Sequence, residues 1–332
     1  MPVKPDSTYH PPTWLKANHL MDLWAQTRLV GRRPDGTHRL ELPDGDFLDL
    51  DLYGRGGVTP RAVVIAPGLQ GKARSSYVRG MARALTGAGW DVVAMNYRGC
   101  SGEPNRLPRS YNGADYPDLG MAVDYAARSY AELALVGFSM GGNIVLKYLA
   151  ETEGETGPRA RISAAVVFSA PCDFAGVVEK WSTGFANRYI YGKLALRKMR
   201  KRAEAKAKLG TIGRDVPAAY RRVKNVAEAD HFVSAPLNGF ASAAEYWTVA
   251  SSRPGLRSIT TPTLIVDARN DGSLSSSCYP VQEAARSRHI VLELPRYGGH
   301  VAFVPKGRKR VYWSEKRTLE FLRDPDPPRQ AK

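Results

Sequence analysis

The segment LALVGFSMGGNIVLKYLAE, residues 133–151, constrains the fold more than any other part of the chain. Its first half is continuously apolar, which is typical of a strand buried on both faces, and the residues after Gly141 have helical spacing. The junction reads Gly-X-Ser-X-Gly and is centred on Ser139. This pentapeptide is either an ordinary turn or a turn that presents Ser139 as a nucleophile. The second interpretation requires a base, an acid and an oxyanion pocket elsewhere in the chain.

Eight apolar runs along the chain predict β-strands. The first two alternate apolar and polar residues and are joined by the turn sequence PDGD, so they predict a half-exposed antiparallel hairpin. The later runs are more continuously apolar, as in a sheet that is covered on both faces. The predicted strands span residues 38–42, 47–53, 62–67, 91–97, 134–139, 163–171, 263–268 and 289–295.

Helical patterns lie between the later strands, and this alternation predicts an α/β fold with a mostly parallel sheet and helices on both faces. The alternation stops in a polar, helical stretch without a strong strand, which we interpret as a helical cap insertion. The predicted helices of the core span residues 77–89, 118–130, 141–151 and 277–287. The predicted units are an N-terminal extension packing on the core (1–36), the α/β core (37–171 and 259–322), the cap (172–258) and a disordered tail (323–332).

Glycines flank the candidate nucleophile. Gly137 and Gly141 are expected there because a side chain at either position would collide where the strand and the helix cross. The helix directs its positive N-terminal end at the serine, which favours developing negative charge. Two backbone amides would form the oxyanion pocket, that of Met140 and that of Leu69 in the loop PGLQG, where Gly68 allows close approach. A plain tight turn is the alternative for this loop.

Six histidines are candidates for the base. His300 lies in the glycine-rich sequence RYGGHVAF after the last predicted strand, at the edge where ligands of parallel sheets bind. We therefore predict that His300 is the base, and the alternative is a loop histidine that is hydrogen-bonded to backbone. The others precede the parallel sheet, lie in the predicted cap or begin a strand: His10, His19, His38, His231 and His289.

The acid that orients the base is expected between residues 140 and 299, because this architecture has the chain order Ser…Asp…His. Asp271 follows the strand TLIVDA and is the preferred candidate. Asp267 lies at the end of the same strand and is interpreted as structural. Asp173, which follows the preceding strand, is the remaining alternative.

Seven separated motifs extend over about residues 9–322: PTWLKANHL, LPDGDFLDLD, PGLQG, NYRGCSGEPNRLPRSYNG, VGFSMGGN, APLNGFASAAEYW and GGHVAF. Together they resemble the α/β-hydrolase superfamily and, within it, the YheT-like branch of abhydrolase-domain proteins related to monoacylglycerol lipases. The fourth motif is far more specific than Gly-X-Ser-X-Gly. The resemblance implies an α/β-hydrolase fold and an esterase or lipase that uses Ser139, Asp271 and His300, without a metal or organic cofactor.

Three positions depart from the pattern of that family. Pro67 stands where members often have a histidine before the oxyanion glycine. The usual Asp-Asp-Pro at the acid is Asn270-Asp271-Gly272. The helix motif that usually reads HLQT is His19-Leu20-Met21-Asp22.

The fourth motif contains no group to which a catalytic role can be assigned by chemistry. Anchoring of the loop by Arg98, Gly99, Gly102 and Arg106 is favoured over binding of substrate. Cys100 beside them lacks the elbow that a nucleophile needs.

The formal net charge of +16 is concentrated in residues 193–208 and 306–310. Such a charge suits nucleic acid, an anionic membrane or acidic substrates. The chain has no zinc-finger spacing, RNP-type aromatic run or basic-zipper heptad, so no specific nucleic-acid partner is predicted. The favoured interpretation is a solvated helix face and a basic loop. The alternative is peripheral contact between anionic lipid and the basic cap, through Arg197, Lys198, Arg200, Lys201 and Arg202 beside the apolar Leu194, Leu196, Met199 and Leu209.

The three cysteines, Cys100, Cys172 and Cys278, are far apart and odd in number, which fits a reducing compartment. We recognise no signal peptide and no apolar stretch of about 20 residues, so a cytoplasmic location is expected.

The predicted function is hydrolysis of small-molecule or lipid esters through an acyl-serine. Thioester or amide substrates stay as alternatives, as does a non-catalytic scaffold, because one fold hosts many functions.

Overall fold

One sheet organises the chain in the computed structural model. The structure describes residues 3–4, 7–28, 32–54, 56–69, 72–183, 187–307 and 311–325. Most of the predicted tail (326–332) and part of the basic loop (308–310) therefore lie outside the described residues. The described strands are β1 (Val3–Lys4), β2 (Gly36–Glu41), β3 (Phe47–Tyr53), β4 (Arg61–Ala66), β5 (Asp91–Asn96), β6 (Glu132–Phe138), β7 (Ile162–Phe168), β8 (Thr263–Val266) and β9 (Ile290–Glu293).

These strands follow the order β1-β9-β8-β7-β6-β4-β5-β3-β2 across the sheet. β3 pairs antiparallel with both β2 and β5, and every other neighbouring pair is parallel. The predicted mostly parallel sheet with an N-terminal antiparallel hairpin is confirmed. The sequence pattern did not predict β1, which is two residues long and pairs with β9.

The helices lie between the strands, and one follows the last strand. None of the described helices is long and apolar enough to cross a membrane. Short 3₁₀ turns occupy Gly157–Arg161, Arg253–Ser258 and Ser276–Cys278, and π turns occupy Arg188–Gly192 and Asp230–Ser234. The α-helices are α1 (Asn18–Gln26), α2 (Ser76–Gly87), α3 (Tyr116–Ala127), α4 (Met140–Glu151), α5 (Phe174–Thr183), α6 (Lys193–Lys208), α7 (Asp215–Arg222), α8 (Val226–Ala229), α9 (Ala235–Leu237), α10 (Ala243–Ala250), α11 (Val281–Arg286) and α12 (Trp313–Arg323).

Helices cover both faces of the sheet, as the alternation of strands and helices predicts. On one face α3, α4 and α11 bury side chains that include Leu119, Ile144 and Ala284. On the other face α2 and α12 contribute Met81 and Phe321. Successive strand residues alternate between these two clusters, which explains why the central strands are continuously apolar.

Strand β3 corrects the prediction of a half-exposed hairpin. Its carboxylates Asp49 and Asp51 are buried. Arg39 donates to both oxygens of Asp49 at 2.8 and 3.0 Å, and Arg74 Nε donates to Asp51 Oδ2 at 2.8 Å. Buried carboxylates need such partners. The alternation FLDLDLY records the polarity of the side chains, but it does not reveal that arginines from β2 and from the loop before α2 cover them.

The loop that follows β5 is held by a buried arginine. Arg98 donates to both oxygens of Asp118 at 2.7 Å, to Asp44 at 2.7 Å and to Asp46 at 3.2 Å. Asn105 Nδ2 also donates to Asp46, at 2.8 Å. These contacts agree with the predicted anchoring role of this loop.

The described part of the segment between β7 and β8 contains helices and no strand. Its helix α6 carries the basic cluster, and two of those cations face inward, which corrects the interpretation of one solvated face. Lys206 is buried and donates to oxygens of the loop after β5. Arg202 lies over the ring of Tyr111, 4.4 Å from its centroid.

Candidate active site

Ser139 occupies the turn between β6 and α4. Its φ of 52° and ψ of −122° fall in a region that residues other than glycine rarely adopt. A Cβ on Gly141 would lie 2.2 Å from the carbonyl oxygen of Ala66, and a Cβ on Gly137 would lie 2.6 Å from Gly142 Cα. The turn therefore has room for glycine only on either side of the serine.

The three residues that the sequence analysis assigned as nucleophile, base and acid form one hydrogen-bonded chain. His300 Nε2 is 2.8 Å from Ser139 Oγ, and His300 Nδ1 is 2.8 Å from Asp271 Oδ2. The Asp271 carboxylate is buried, and its Oδ1 accepts a hydrogen bond from the Ser273 amide at 2.8 Å. Each member thus has a fixed position relative to the next.

The protonation of His300 follows from its surroundings. Burial opposes the charged imidazolium, but the Asp271 carboxylate, through its charge and its hydrogen bond, raises the pKa of His300 above the ordinary value. The charges of Asp22 and Asp267 act in the same direction. When Nδ1–H donates to Asp271, the neutral ring leaves Nε2 free to accept the proton of Ser139.

The alternative acids have other partners. Asp267 Oδ1 accepts a hydrogen bond from the Ala170 amide at 3.0 Å, which links the ends of β7 and β8. Burial raises the pKa of Asp267 well above its ordinary value. Asp173 accepts from the Gly176 amide at 3.3 Å. These contacts agree with structural roles for both residues.

The other histidines interact elsewhere in the described chain. His19 Nδ1 is 3.1 Å from Tyr191 Oη. His38, on β2, stacks on Tyr125 with ring centroids 4.6 Å apart. Of the histidines, it is His300 that the structure brings to the serine.

The candidate oxyanion donors lie on both sides of the serine. Met140 begins α4, where helix amides have no partner within the helix. Leu69 lies in the loop after β4, next to Gly68, whose Cβ position would be 3.2 Å from Ser139 Cβ. Within the described residues, neither the Met140 nor the Leu69 amide has a hydrogen-bond acceptor. The remainder of the motif PGLQG, residues 70–71, lies outside the described residues.

Asp22 contacts the base, a role that its local sequence does not reveal. Its Oδ1 accepts the backbone N–H of His300 at 2.6 Å, and its Oδ2 accepts the hydroxyl of Tyr191 at 3.1 Å. Burial raises the pKa of Asp22 to about 7. One sequence feature points to this segment, since residues 19–22 depart from the family's HLQT pattern. The contact itself could not be predicted, because only the fold brings α1 to the loop that contains His300.

Left-handed backbone is concentrated at this edge of the sheet. Besides Ser139, the non-glycine residues with positive φ are Ser169 (53°), Val301 (59°) and Phe303 (38°) within the described chain. The Val301 amide donates to Ser169 Oγ at 3.2 Å. Strained backbone of this kind persists where the surrounding structure fixes it, as at functional sites.

A cavity of about 510 Å³ opens at Ser139 and His300. Its volume lies within the ordinary range for small-molecule sites, about 300–1,000 Å³. No three His, Cys, Asp or Glu side chains of the described ranges are grouped so as to hold a metal ion. The walls include Leu69, Tyr77, Trp181, Tyr191, Leu194 and Lys198.

The sequence matches the family model described as the alpha/beta hydrolase fold over residues 61–305. It is 35% identical over 292 residues to the Escherichia coli protein "Putative esterase YheT", covering 86% of this chain and 83% of that one. It is 26% identical over 312 residues to the mouse phospholipase ABHD3, covering 90% and 73% of the two chains. The Pyrococcus furiosus esterase Pf2001 superposes with a TM-score of 0.56 at 16% identity, covering 89% of this chain and 97% of that one, a likeness of fold alone.

Proposed function

The chain belongs to the α/β-hydrolase family and to its YheT-like branch, and from that premise we propose that it is a serine hydrolase of carboxylic esters. The observation that carries this proposal is the continuous hydrogen-bonded chain from Ser139 through His300 to Asp271, with 2.8 Å at both links. A serine hydroxyl is a weak nucleophile until a base removes its proton. In this structure His300 is hydrogen-bonded to the Ser139 hydroxyl, and the buried Asp271 carboxylate is hydrogen-bonded to His300.

The mechanism is a two-step acyl transfer. His300 Nε2 takes the proton of Ser139 Oγ as that oxygen attacks the ester carbonyl, and Asp271 stays ionised to orient the ring. The Met140 and Leu69 amides donate to the oxyanion. His300 then gives its proton to the leaving alcohol. Water, activated by the same base, hydrolyses the acyl-serine.

Esters are the favoured substrate class because the relatives bear the names of a putative esterase, a phospholipase and a lipase. The mouse relative is a phospholipase, and a Saccharomyces cerevisiae relative, 25% identical over 268 residues, is a monoacylglycerol lipase. A thioesterase or amidase on the same fold is the alternative within hydrolases. A non-catalytic scaffold and a nucleic-acid binder are the alternatives outside them.

A substrate panel separates these functions. We expect p-nitrophenyl esters from acetyl to palmitoyl to be hydrolysed with an optimum in chain length, and acyl-CoA and aminopeptidase substrates to be poor. Faster turnover of acyl-CoA or of amides would assign the alternative chemistry. A folded protein that is inactive on the whole panel would favour the scaffold. Salt-dependent retention on DNA or RNA beyond the effect of charge alone would favour the nucleic-acid binder.

Peripheral contact with an anionic lipid surface is a second part of the proposal. Arg197, Lys198 and Lys201 of α6 are exposed, beside the exposed apolar Leu194. Lys198 and Leu194 also line the cavity that contains Ser139. A surface that attracts anionic lipid would thus lie at the mouth through which a lipid ester enters. The cytoplasmic location expected from sequence stays a prediction.

A further inference from the structure

A second, smaller cavity lies between α6 and the loop that follows β5. Its volume is about 50 Å³. Leu69 lines both this cavity and the larger one, and Met140, the residue after Ser139, lines the small one. The small cavity therefore adjoins the two residues whose amides are proposed to hold the oxyanion. Tyr111, from the loop, and Arg202, from α6, both line it and contact each other.

Arg202 is a cation without an anionic partner in the described part of the chain. Its guanidinium lies 4.4 Å from the ring centroid of Tyr111, and Nη1 is 3.7 Å from Cys100 Sγ. No carboxylate of the described residues is within salt-bridge distance of it. Arg98, which lies in the same loop region, contacts three carboxylates. A partly buried guanidinium that lacks a counter-ion has lost water without gaining an ion pair.

The other charged groups at this cavity are already engaged. Lys206 Nζ donates to the side-chain oxygen of Asn105 and to the carbonyl oxygens of three loop residues at 2.6–2.8 Å, and burial lowers the pKa of Lys206 to about 8. Asp230 Oδ2 accepts the Trp247 indole N–H at 2.9 Å, and burial raises the pKa of Asp230 to about 6. Of the charged groups that line the cavity, Arg202 is the one whose contacts, with the Tyr111 side chain and Cys100 Sγ, are with weak acceptors, so its guanidinium can still bind an anion.

We propose that this cavity binds a carboxylate group of the ester substrate, with Arg202 as its counter-ion. The inference rests on the proposed ester hydrolysis and adds a substrate class, the half-esters of dicarboxylic acids. About 10–15 Å³ is needed for one water, so 50 Å³ holds about three to five waters, a space that suits a carboxylate with its methylene. The planar fork of an arginine matches the two oxygens of such a group.

This arrangement gives the loop motif NYRGCSGEPNRLPRSYNG a role beyond anchoring. Lys206 fixes the loop against α6, and the loop in turn presents the Tyr111 ring on which the Arg202 guanidinium stacks. The cation is thereby held in one place before substrate arrives, which reduces the entropy lost on binding. Leu69, at the junction of the two cavities, lies where a short acyl chain would pass from Ser139 to Arg202.

The test compares monomethyl and dimethyl esters of succinic, glutaric and adipic acid at pH 8, where the free carboxyl is ionised. Both members of a pair present the same reacting methyl ester, and the diester presents it twice. After the kcat/KM of the diester is halved for this reason, the ratio of the two values measures recognition of the carboxylate. For the wild-type protein we expect at least one chain length at which the half-ester is preferred about tenfold or more. Arg202→Gln should lower that ratio about tenfold, and Arg202→Lys should retain part of the preference because it keeps the charge. Arg222→Gln is the matched control, since it removes an exposed guanidinium from the neighbouring helix α7 and should change the ratio less than about twofold.

Several outcomes would overturn the inference. One is hydrolysis of the diesters with no preference for any half-ester, and another is an equal loss of the ratio in the Arg202→Gln and Arg222→Gln proteins. Turnover of neither ester by a protein that is also inactive on the p-nitrophenyl panel contradicts the proposed function instead. If neither methyl ester is turned over, calorimetry with glutarate decides the site: binding to the wild-type and Arg222→Gln proteins but not to Arg202→Gln supports it, and any other pattern overturns it. Thermal unfolding of each variant verifies that it is folded.

Discussion

Asp271 is the residue whose role depends most on the geometry of a single contact, its 2.8 Å link to His300 Nδ1. Asp271→Asn is expected to keep the fold and to lower kcat by a factor on the order of 10³–10⁴, because an amide does not hold the imidazole in the required tautomer. Asp267→Asn and Asp173→Asn should cost less, since neither carboxylate has a hydrogen bond to His300. Steady-state kinetics and thermal unfolding of the three variants measure this. If Asp173→Asn lost most of its kcat while Asp271→Asn lost little, the acid that orients His300 would be Asp173, in the loop after β7.

Asp22 offers a test through the pH profile of kcat/KM. Asp22→Asn keeps an oxygen that can accept the His300 N–H, but it removes a negative charge that favours the imidazolium. The pKa of His300, which the carboxylates raise, should therefore fall. Because the base must be neutral to act, the acid limb of the profile should move to lower pH. The shift should be less than about one unit, since Asp22, with a pKa of about 7, is only partly ionised where the base titrates.

Asp22→Ala is the companion variant, since it also removes the acceptor of the His300 amide. It should lower kcat on the alkaline plateau as well, where Asp22→Asn stays close to the wild-type value. An acid limb that does not move in the Asp22→Asn protein would mean that Asp22 has no electrostatic effect on the base.

The site residues that could be predicted from the sequence are those whose role follows from the residues beside them in the chain. Ser139 follows from a strand, two glycines and a helix, and His300 and Asp271 follow from their places after predicted strands. Asp22 could not be predicted, because its contact with His300 depends on how α1 packs after folding. The burial of Arg202 could not be predicted for the same reason. The spacing of the basic residues indicates that Arg202 is on a helix, but it does not indicate that an aromatic ring packs against it.

At the scale of elements, the position and type of the central strands could be read from apolar runs alone. β3 could not, because its alternating pattern matches that of a surface strand while Arg39 and Arg74 cover its carboxylates. The terminal helices α1 and α12 were not predicted either. Their packing relies on long-range contacts such as the ion pair between Arg28 and Glu315, which no local period records.

The loop after β5 supplies a stability prediction. Arg98→Met leaves Asp44, Asp46 and Asp118 without their shared cation, and breaking a buried ion pair in this way typically costs about 3–5 kcal/mol of unfolding free energy. Arg106→Met is the matched control in the same loop. Arg106 pairs with Glu41 on the exposed surface, where ion pairs contribute little, so its unfolding midpoint should stay near that of the wild type. Urea denaturation of the two variants measures the difference, and equal midpoints would remove the anchoring role of Arg98.

At the scale of the whole molecule, the charge of +16 is divided between cations that stabilise the interior and cations that face solvent. The exposed cations of α6 predict binding to vesicles that contain anionic lipid, since each basic residue near such a surface adds about 1 kcal/mol. In co-sedimentation, Arg197→Gln combined with Lys201→Gln should weaken that binding. Arg257→Gln combined with Arg286→Gln, which removes the same charge from other exposed sites, should weaken it less. Equal binding to neutral and anionic vesicles, or binding to neither, would contradict the proposal.

The most direct test of the central claim is labelling by a fluorophosphonate probe, which reacts with a serine that a base has activated. We expect one labelled site, which mass spectrometry assigns to Ser139. Ser139→Ala should abolish both labelling and ester hydrolysis while thermal unfolding stays nearly unchanged. His300→Ala should also prevent labelling, because an unactivated hydroxyl is inert at neutral pH. A label on another residue, or full ester hydrolysis by the Ser139→Ala protein, would contradict the account and reduce GFSMG to an ordinary turn.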